Sequence, residues 1–142
     1  MNKHTLILIL CAFAAFATVS CSKKPFNVEH VEVTEGRSFR ICLDKALLPE
    51  QQYFYSIQFI TKDSLRYTTD GVLDSPAESG DNCFTGTKFR YSMDAYSDES
   101  IRFIESLSNQ NLDTCRIQIY TDRQLEQGKR VLEKVFTAED LR

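Results

Sequence analysis

The chain has 142 residues, enough for one domain with a modest core and too few for two. Lys and Arg total 17 against 20 Asp and Glu, a net charge of −3, and no basic stripe forms, so a nucleic-acid binder is excluded. Hydrophobic residues make up 42% with no low-complexity tract and no internal repeat, which excludes disordered and repeat architectures.

The first element is an apolar N-terminal run. Lys3 and His4 give a short positive end, and Thr5 to Val19 is apolar or small throughout. At about fifteen residues it is short of the roughly twenty a permanent membrane helix needs, and it matches the core of a secretory signal. Small Ser20, then Cys21, then polar "SKK" follow. The four residues "TVSC" resemble the lipobox of bacterial lipoproteins, in which a signal is cleaved before an acylated cysteine. That resemblance implies a signal peptide over 1–20, a lipidated tether over 21–25 beginning at Cys21, and a single domain over 26–142. A covalent lipid on Cys21 is then the one non-protein group expected. A single acyl chain holds a protein only marginally at a membrane, and the three chains of such lipoproteins hold it firmly. Ser22 stands where aspartate favours inner-membrane retention, so the expected address is the outer membrane, with the domain facing the periplasm. The alternative is an ordinary signal or signal anchor with Cys21 incidental.

Beyond the tether the chain is punctuated every ten to fifteen residues. "FNVEHVEVT" is rich in β-formers and breaks at Glu35-Gly36. "RSFRICL" alternates, with Phe39, Ile41 and Leu43 on one face and Arg40, Cys42 and Asp44 on the other. "YFYSIQFIT" is the clearest strand, and Tyr53, Tyr55, Ile57 and Phe59 share a face. "LRYTTDGVL" reads as its hairpin partner, with Asp70-Gly71 as a turn signal. "NCFTGTKFRYSMDAY" reads as two short strands or one bulged strand around Gly86. "SDESIRFIESL" offers Asp98 as a helix cap and Ile101, Ile104 and Leu107 at helical spacing, or else an edge strand. "TCRIQIYT" alternates cleanly, with Cys115, Ile117 and Ile119 together. The tail places Leu125, Leu132, Val135 and Phe136 on a helical stripe, a short C-terminal helix, or forms a hairpin arm turning at Gln127-Gly128. The whole predicts a mostly β fold: a small antiparallel sandwich of six to eight short strands.

Cysteine usage follows from the signal. With Cys11 removed and Cys21 lipidated, Cys42, Cys83 and Cys115 remain, and an oxidising compartment predicts one disulfide and one leftover thiol. Spacing separates none of the three pairings. Cys83–Cys115 is the preferred one, because Cys115 shares a strand face with Ile117 and Ile119, and Cys42 is the alternative member. No two of these cysteines are close in sequence and the mature chain has one histidine, His30, so no metal site is expected.

Catalytic signals are sparse. A hydroxyl or thiol nucleophile needs a base, and His30 sits in a strand-like segment with no G-x-S-x-G or C-G-x-C context. The five glycines stand alone, so no phosphate loop forms. The expectation is a non-enzymatic binding module. "TTDGVLDSPAESGDN" carries Asp70, Asp74, Glu78 and Asp81 without a basic residue, a long acidic loop suited to a cationic cleft on a protein partner. Its plain alternative is a solvated connection. Tyr53, Tyr55, Tyr91 and Tyr96 are either interface anchors or core residues.

The order lipobox cysteine, "VEVTEGRSFRICL", "NCFTGTKFRYSMDAY" and "TCRIQIY" resembles small periplasmic immunity lipoproteins of type VI secretion, through sparse positions. These are Cys42-Leu43, Cys83 with Gly86 and Tyr91, and Cys115. The resemblance implies a protein that binds a toxic effector delivered into the periplasm and occludes its active site. Two other classes compete: an accessory lipoprotein of an envelope or secretion machine, and a lysozyme-inhibitor-like lipoprotein.

Overall fold

The computed structural model describes residues 25–73, 82–90, 92–121 and 129–142. They form seven strands: β1 (Val28–Val33), β2 (Ser38–Leu43), β3 (Tyr53–Thr61), β4 (Arg66–Leu73), β5 (Cys83–Thr87), β6 (Leu112–Tyr120) and β7 (Arg130–Thr137). One helix, α1 (Asp98–Ser106), stands between β5 and β6. The strands make two antiparallel sheets, ordered β1-β2-β5 and β4-β3-β6-β7. The mostly β, sandwich-like architecture expected from alternation is the one observed.

Period-two patterning dictates which side chains meet. Val31, Val33, Phe39, Ile41, Leu43 and Phe84 of the smaller sheet are buried, as are Tyr53, Tyr55, Ile57, Phe59, Cys115, Ile117, Ile119, Leu132 and Phe136 of the larger. They form one cluster between the sheets. Edge-to-face ring contacts cross it, Phe39 to Tyr55 at 5.5 Å and Phe39 to Phe59 at 5.8 Å between centroids.

Both corners of the sandwich are tied. Lys134 faces inward on β7, beside Leu132 and Phe136, and its Nζ donates to the Val28 carbonyl at 2.8 Å. An inward charge on an edge strand also discourages edge-to-edge pairing with a second chain. At the other corner the Tyr67 hydroxyl donates to the Lys88 carbonyl at 2.6 Å, holding the segment after β5 against β4.

Several expectations are corrected. Asp70 and Gly71 are not a turn: they lie inside β4, opposite Ser56 and Tyr55. Gly71 is there because a Cβ would stand 2.5 Å from the Tyr55 hydroxyl oxygen, so the missing side chain serves packing. The β3–β4 turn falls earlier, at 62–65, where Ser64 takes φ 68° and the Leu65 amide donates to Thr61 Oγ1. The helix over 98–106 forms, but its cap is Ser97, whose Oγ accepts from the Ser100 amide at 3.2 Å; Asp98 and Glu99 complement the dipole in the first turn. The tail is a strand and not a helix, because Leu132 and Phe136 fill inward positions opposite Ile119 and Cys115 while Val135 faces out. The Gln127-Gly128 turn lies outside the described residues. "NCFTGTKFRYSMDAY" gives the single short strand β5 and a 3-10 turn at Met93–Ala95.

Gly86 has no room for a side chain, since a Cβ there would meet Phe39 Cζ at 2.3 Å. Phe39 is 2% exposed and wedged between Tyr55 and Phe59, so it has nowhere to move. Gly86→Ala is expected to cost about 2–3 kcal/mol of stability, as overpacking does. Urea unfolding of the variant measures it; an unchanged midpoint would show that Phe39 has room.

Candidate binding surface

The cysteines settle first. Cys42 and Cys83 are direct partners in the β2–β5 register, with Cα atoms 4.0 Å apart, and they form the disulfide. The preferred Cys83–Cys115 pairing is therefore corrected. Cys115 does share a face with Ile117 and Ile119, but that face is the buried inner face of the other sheet, whereas Cys42 and Cys83 point outward from theirs. Burial pushes the Cys115 thiol up to about 12, so it remains a protonated, unreactive core residue. Cys21 lies outside the described residues.

Of the four acids Asp70, Asp74, Glu78 and Asp81, one lies among the described residues. Asp70 is a strand residue whose carboxylate meets Arg90 Nε at 2.6 Å. Asp74, Glu78 and Asp81 lie outside the described residues, as does Tyr91. Tyr53 and Tyr55 are 2% and 3% exposed and belong to the core, so they anchor no interface; Tyr96 packs edge-on against Phe89. His30 is an exposed residue of β1, in register with Cys42. No group of three metal-ligating side chains occurs among the described residues. No described helix is long and apolar enough to cross a membrane.

Two features were invisible in the sequence. The first is Lys88, wholly buried. Its Nζ donates to the Thr34 carbonyl at 2.6 Å and the Leu107 carbonyl at 2.5 Å. Leu107 is the C-cap of α1, so the ammonium sits at the negative end of the helix and ties it to the β1–β2 turn. Burial lowers its pKa to about 8, and Glu35 and Glu105 pull against that fall. The cue was only a lysine between a strand and an aromatic, which names no partner.

The second is the outward face of the larger sheet. Cross-strand register places its residues in rows: Val72, Phe54 and Tyr120; then Asp70, Ser56, Gln118 and Glu133; then Thr68, Gln58, Arg116 and Val135. Ser56, Gln58, Thr68, Arg116 and Gln118 surround a shallow recess of about 150 Å³. Glu133 receives Arg130 at 2.5 Å and lies 3.9 Å from Arg116. Tyr120 donates to Gln118 Oε1 at 2.9 Å, and Val72 and Val135 are 38% and 42% exposed. Such a face offers donors, acceptors and apolar contact together, the composition of a protein-binding surface. It contains no nucleophile–base pair. No family model matches the chain, and no match was found among curated proteins or solved structures.

Proposed function

We propose that this chain is a lipid-anchored protein of the bacterial cell envelope whose sandwich domain binds and neutralises a toxic protein delivered into the periplasm, as a type VI secretion immunity protein does. The observation that carries the binding role is the open outward face of the β4-β3-β6-β7 sheet, with amides, hydroxyls and arginines over a closed core. The Cys42–Cys83 disulfide supports an oxidising compartment, in line with the signal-like run ending at Cys21. Anchoring through Cys21 keeps the inhibitor where the toxin acts.

Complex formation tests the reading. The domain over 26–142, exported to the periplasm, is expected to co-purify one-to-one with the product of a toxin gene adjoining its own. Cys21→Ser is expected to move the full chain from the membrane fraction to the soluble periplasm. A chain that forms no complex, or a Cys21→Ser variant that stays in the membrane, contradicts the corresponding half.

A further inference from the structure

We infer that the loop between β2 and β3 docks on the lipid surface, burying Leu48 at the headgroup–acyl boundary, and so stands the sandwich on the membrane by the end where its tether arrives. This rests on the anchoring at Cys21 proposed above and adds a non-covalent contact to it.

Register defines that end. Val28 pairs with Leu43, Tyr53 with Leu73, and Tyr120 with both Phe54 and Arg130, so the start of β1 and the β2–β3 loop lie at the same end of the two sheets. Phe26 is buried and packs edge-on against Tyr53 at 5.3 Å, so the chain is already part of the domain there. The Asn27 amide donates to the Asp44 carboxylate at 2.6 Å, and the Asp44 amide donates to the Asn27 carbonyl at 3.0 Å. This pair fixes the arriving chain to the first residue of the loop. Five residue steps separate Cys21 from Phe26, no more than about 18 Å when fully extended. A lipid on Cys21 therefore holds this end of the domain at the headgroups. The gap is smaller than the roughly 30 Å diameter of a small folded domain, so it suits a bilayer better than an intervening protein.

The loop fits that contact. Its tip "ALLP", Ala46 to Pro49, is uncharged, whereas the turn at 62–65 at the far end reads Lys-Asp-Ser-Leu. Leu47 is half-buried against the core and holds the loop down, while Ala46, Leu48 and Pro49 are exposed. Leu48, at 59%, is the most exposed large hydrophobic residue among those described. The loop is also braced. The Gln51 amide donates to the Leu48 carbonyl at 3.2 Å, and Gln51 Nε2 donates to the Thr121 carbonyl beyond β6 at 3.2 Å. Little ordering is then left for membrane contact to impose. Charge does not select the partner, since Lys45 and Lys129 stand against Asp44 and Glu50 in the described loops of this end. One leucine would not hold a free protein on a bilayer, but an anchored lipid makes the contact intramolecular, where weak apolar burial suffices. Standing on this end keeps the outward faces of both sheets clear of the membrane.

The chain contains no tryptophan, so Leu48→Trp and Leu65→Trp each introduce a single emitter, one at the tether end and one at the far end. Each full-length lipidated variant is reconstituted on phosphatidylcholine vesicles, and far-UV circular dichroism checks its fold. Leu48→Trp is expected to shift its emission to the blue and to be quenched by acyl-brominated lipid at least about twofold more strongly than Leu65→Trp, as insertion of roughly 5–10 Å requires. Because tryptophan itself favours an interface, amide exchange of the wild-type chain is read as well: vesicles are expected to slow residues 44–52 relative to the soluble Cys21→Ser chain and to leave 62–65 unchanged. Equal quenching of the two variants, or unchanged exchange over 44–52, in a chain that floats with the vesicles overturns the docking and leaves the anchor intact. A wild-type chain that does not float with vesicles overturns both. A blue shift of Leu48→Trp produced by the adjoining toxin and not by vesicles assigns the loop to the protein partner and overturns the inference.

Discussion

Replacing Cys42 and Cys83 by alanine is expected to lower stability by about 4 kcal/mol and the melting temperature by roughly 15 °C. The bond joins residues 41 apart in sequence, so cutting it restores to the unfolded chain a long loop's worth of conformational freedom. The folded side loses less, because both cysteines lie on the outward face of β2 and β5 and neither fills the core. Thermal unfolding with and without reductant reads the effect in the wild type, and the double variant should then be insensitive to reductant. Peptide mapping without reduction should recover Cys42 linked to Cys83 and Cys115 as a thiol modified only in denaturant. A Cys83–Cys115 peptide would contradict the register between β2 and β5.

The second large effect is expected at Lys88. Lys88→Met leaves the Thr34 and Leu107 carbonyls without their donor in a site closed to water, at a cost of about 2–4 kcal/mol near neutral pH. The pH dependence separates this from simple loss of packing. Burial lowers the folded-state pKa to about 8, below the ordinary lysine value of 10.5. Between those values the unfolded chain holds a proton that the folded chain has released, so raising pH favours the fold. The wild type should therefore gain stability relative to Lys88→Met from about pH 8 to pH 10.5, and the gap should be flat below pH 8. Cys115, Tyr55 and Tyr67 pull the other way at high pH, because burial holds each protonated in the fold. They are common to both proteins and cancel in the difference. A gap that stays constant from pH 7 to 11 would show that Lys88 titrates as it does in the unfolded chain.

How much of this was legible in the sequence depends on what each residue had to reveal. Alternation exposed β2, β3 and β6 directly, since Phe39, Ile41 and Leu43, or Tyr53 through Phe59, can be buried together only on an extended strand. The same alternation grouped Cys42 with the outward Arg40 and Cys115 with inward isoleucines; what it could not show was which sheet each face belonged to, and hence the pairing. Gly71 was misleading because Asp-Gly is a turn dipeptide by local propensity, and the reason for the glycine is Tyr55 on another strand. The β7 tail was ambiguous because Leu132, Val135 and Phe136 fit period 3.6 as well as two inward positions and one outward. Lys88 and the polar outward face depend on neighbours far apart in the chain: Arg116 comes within 3.9 Å of Glu133 only after β6 and β7 pair, whereas Arg130 meets it within β7. The acidic run from Asp70 to Asp81 is the conspicuous charge signal in the sequence, and its one described member, Asp70, lies within β4 and is held by Arg90.

The proposed role is protection, and cell survival reads it out. Cells that export the adjoining toxin to the periplasm are challenged with and without the full lipid-anchored chain. Death is expected in its absence and survival in its presence. Equal killing whether or not the intact chain is present would contradict it.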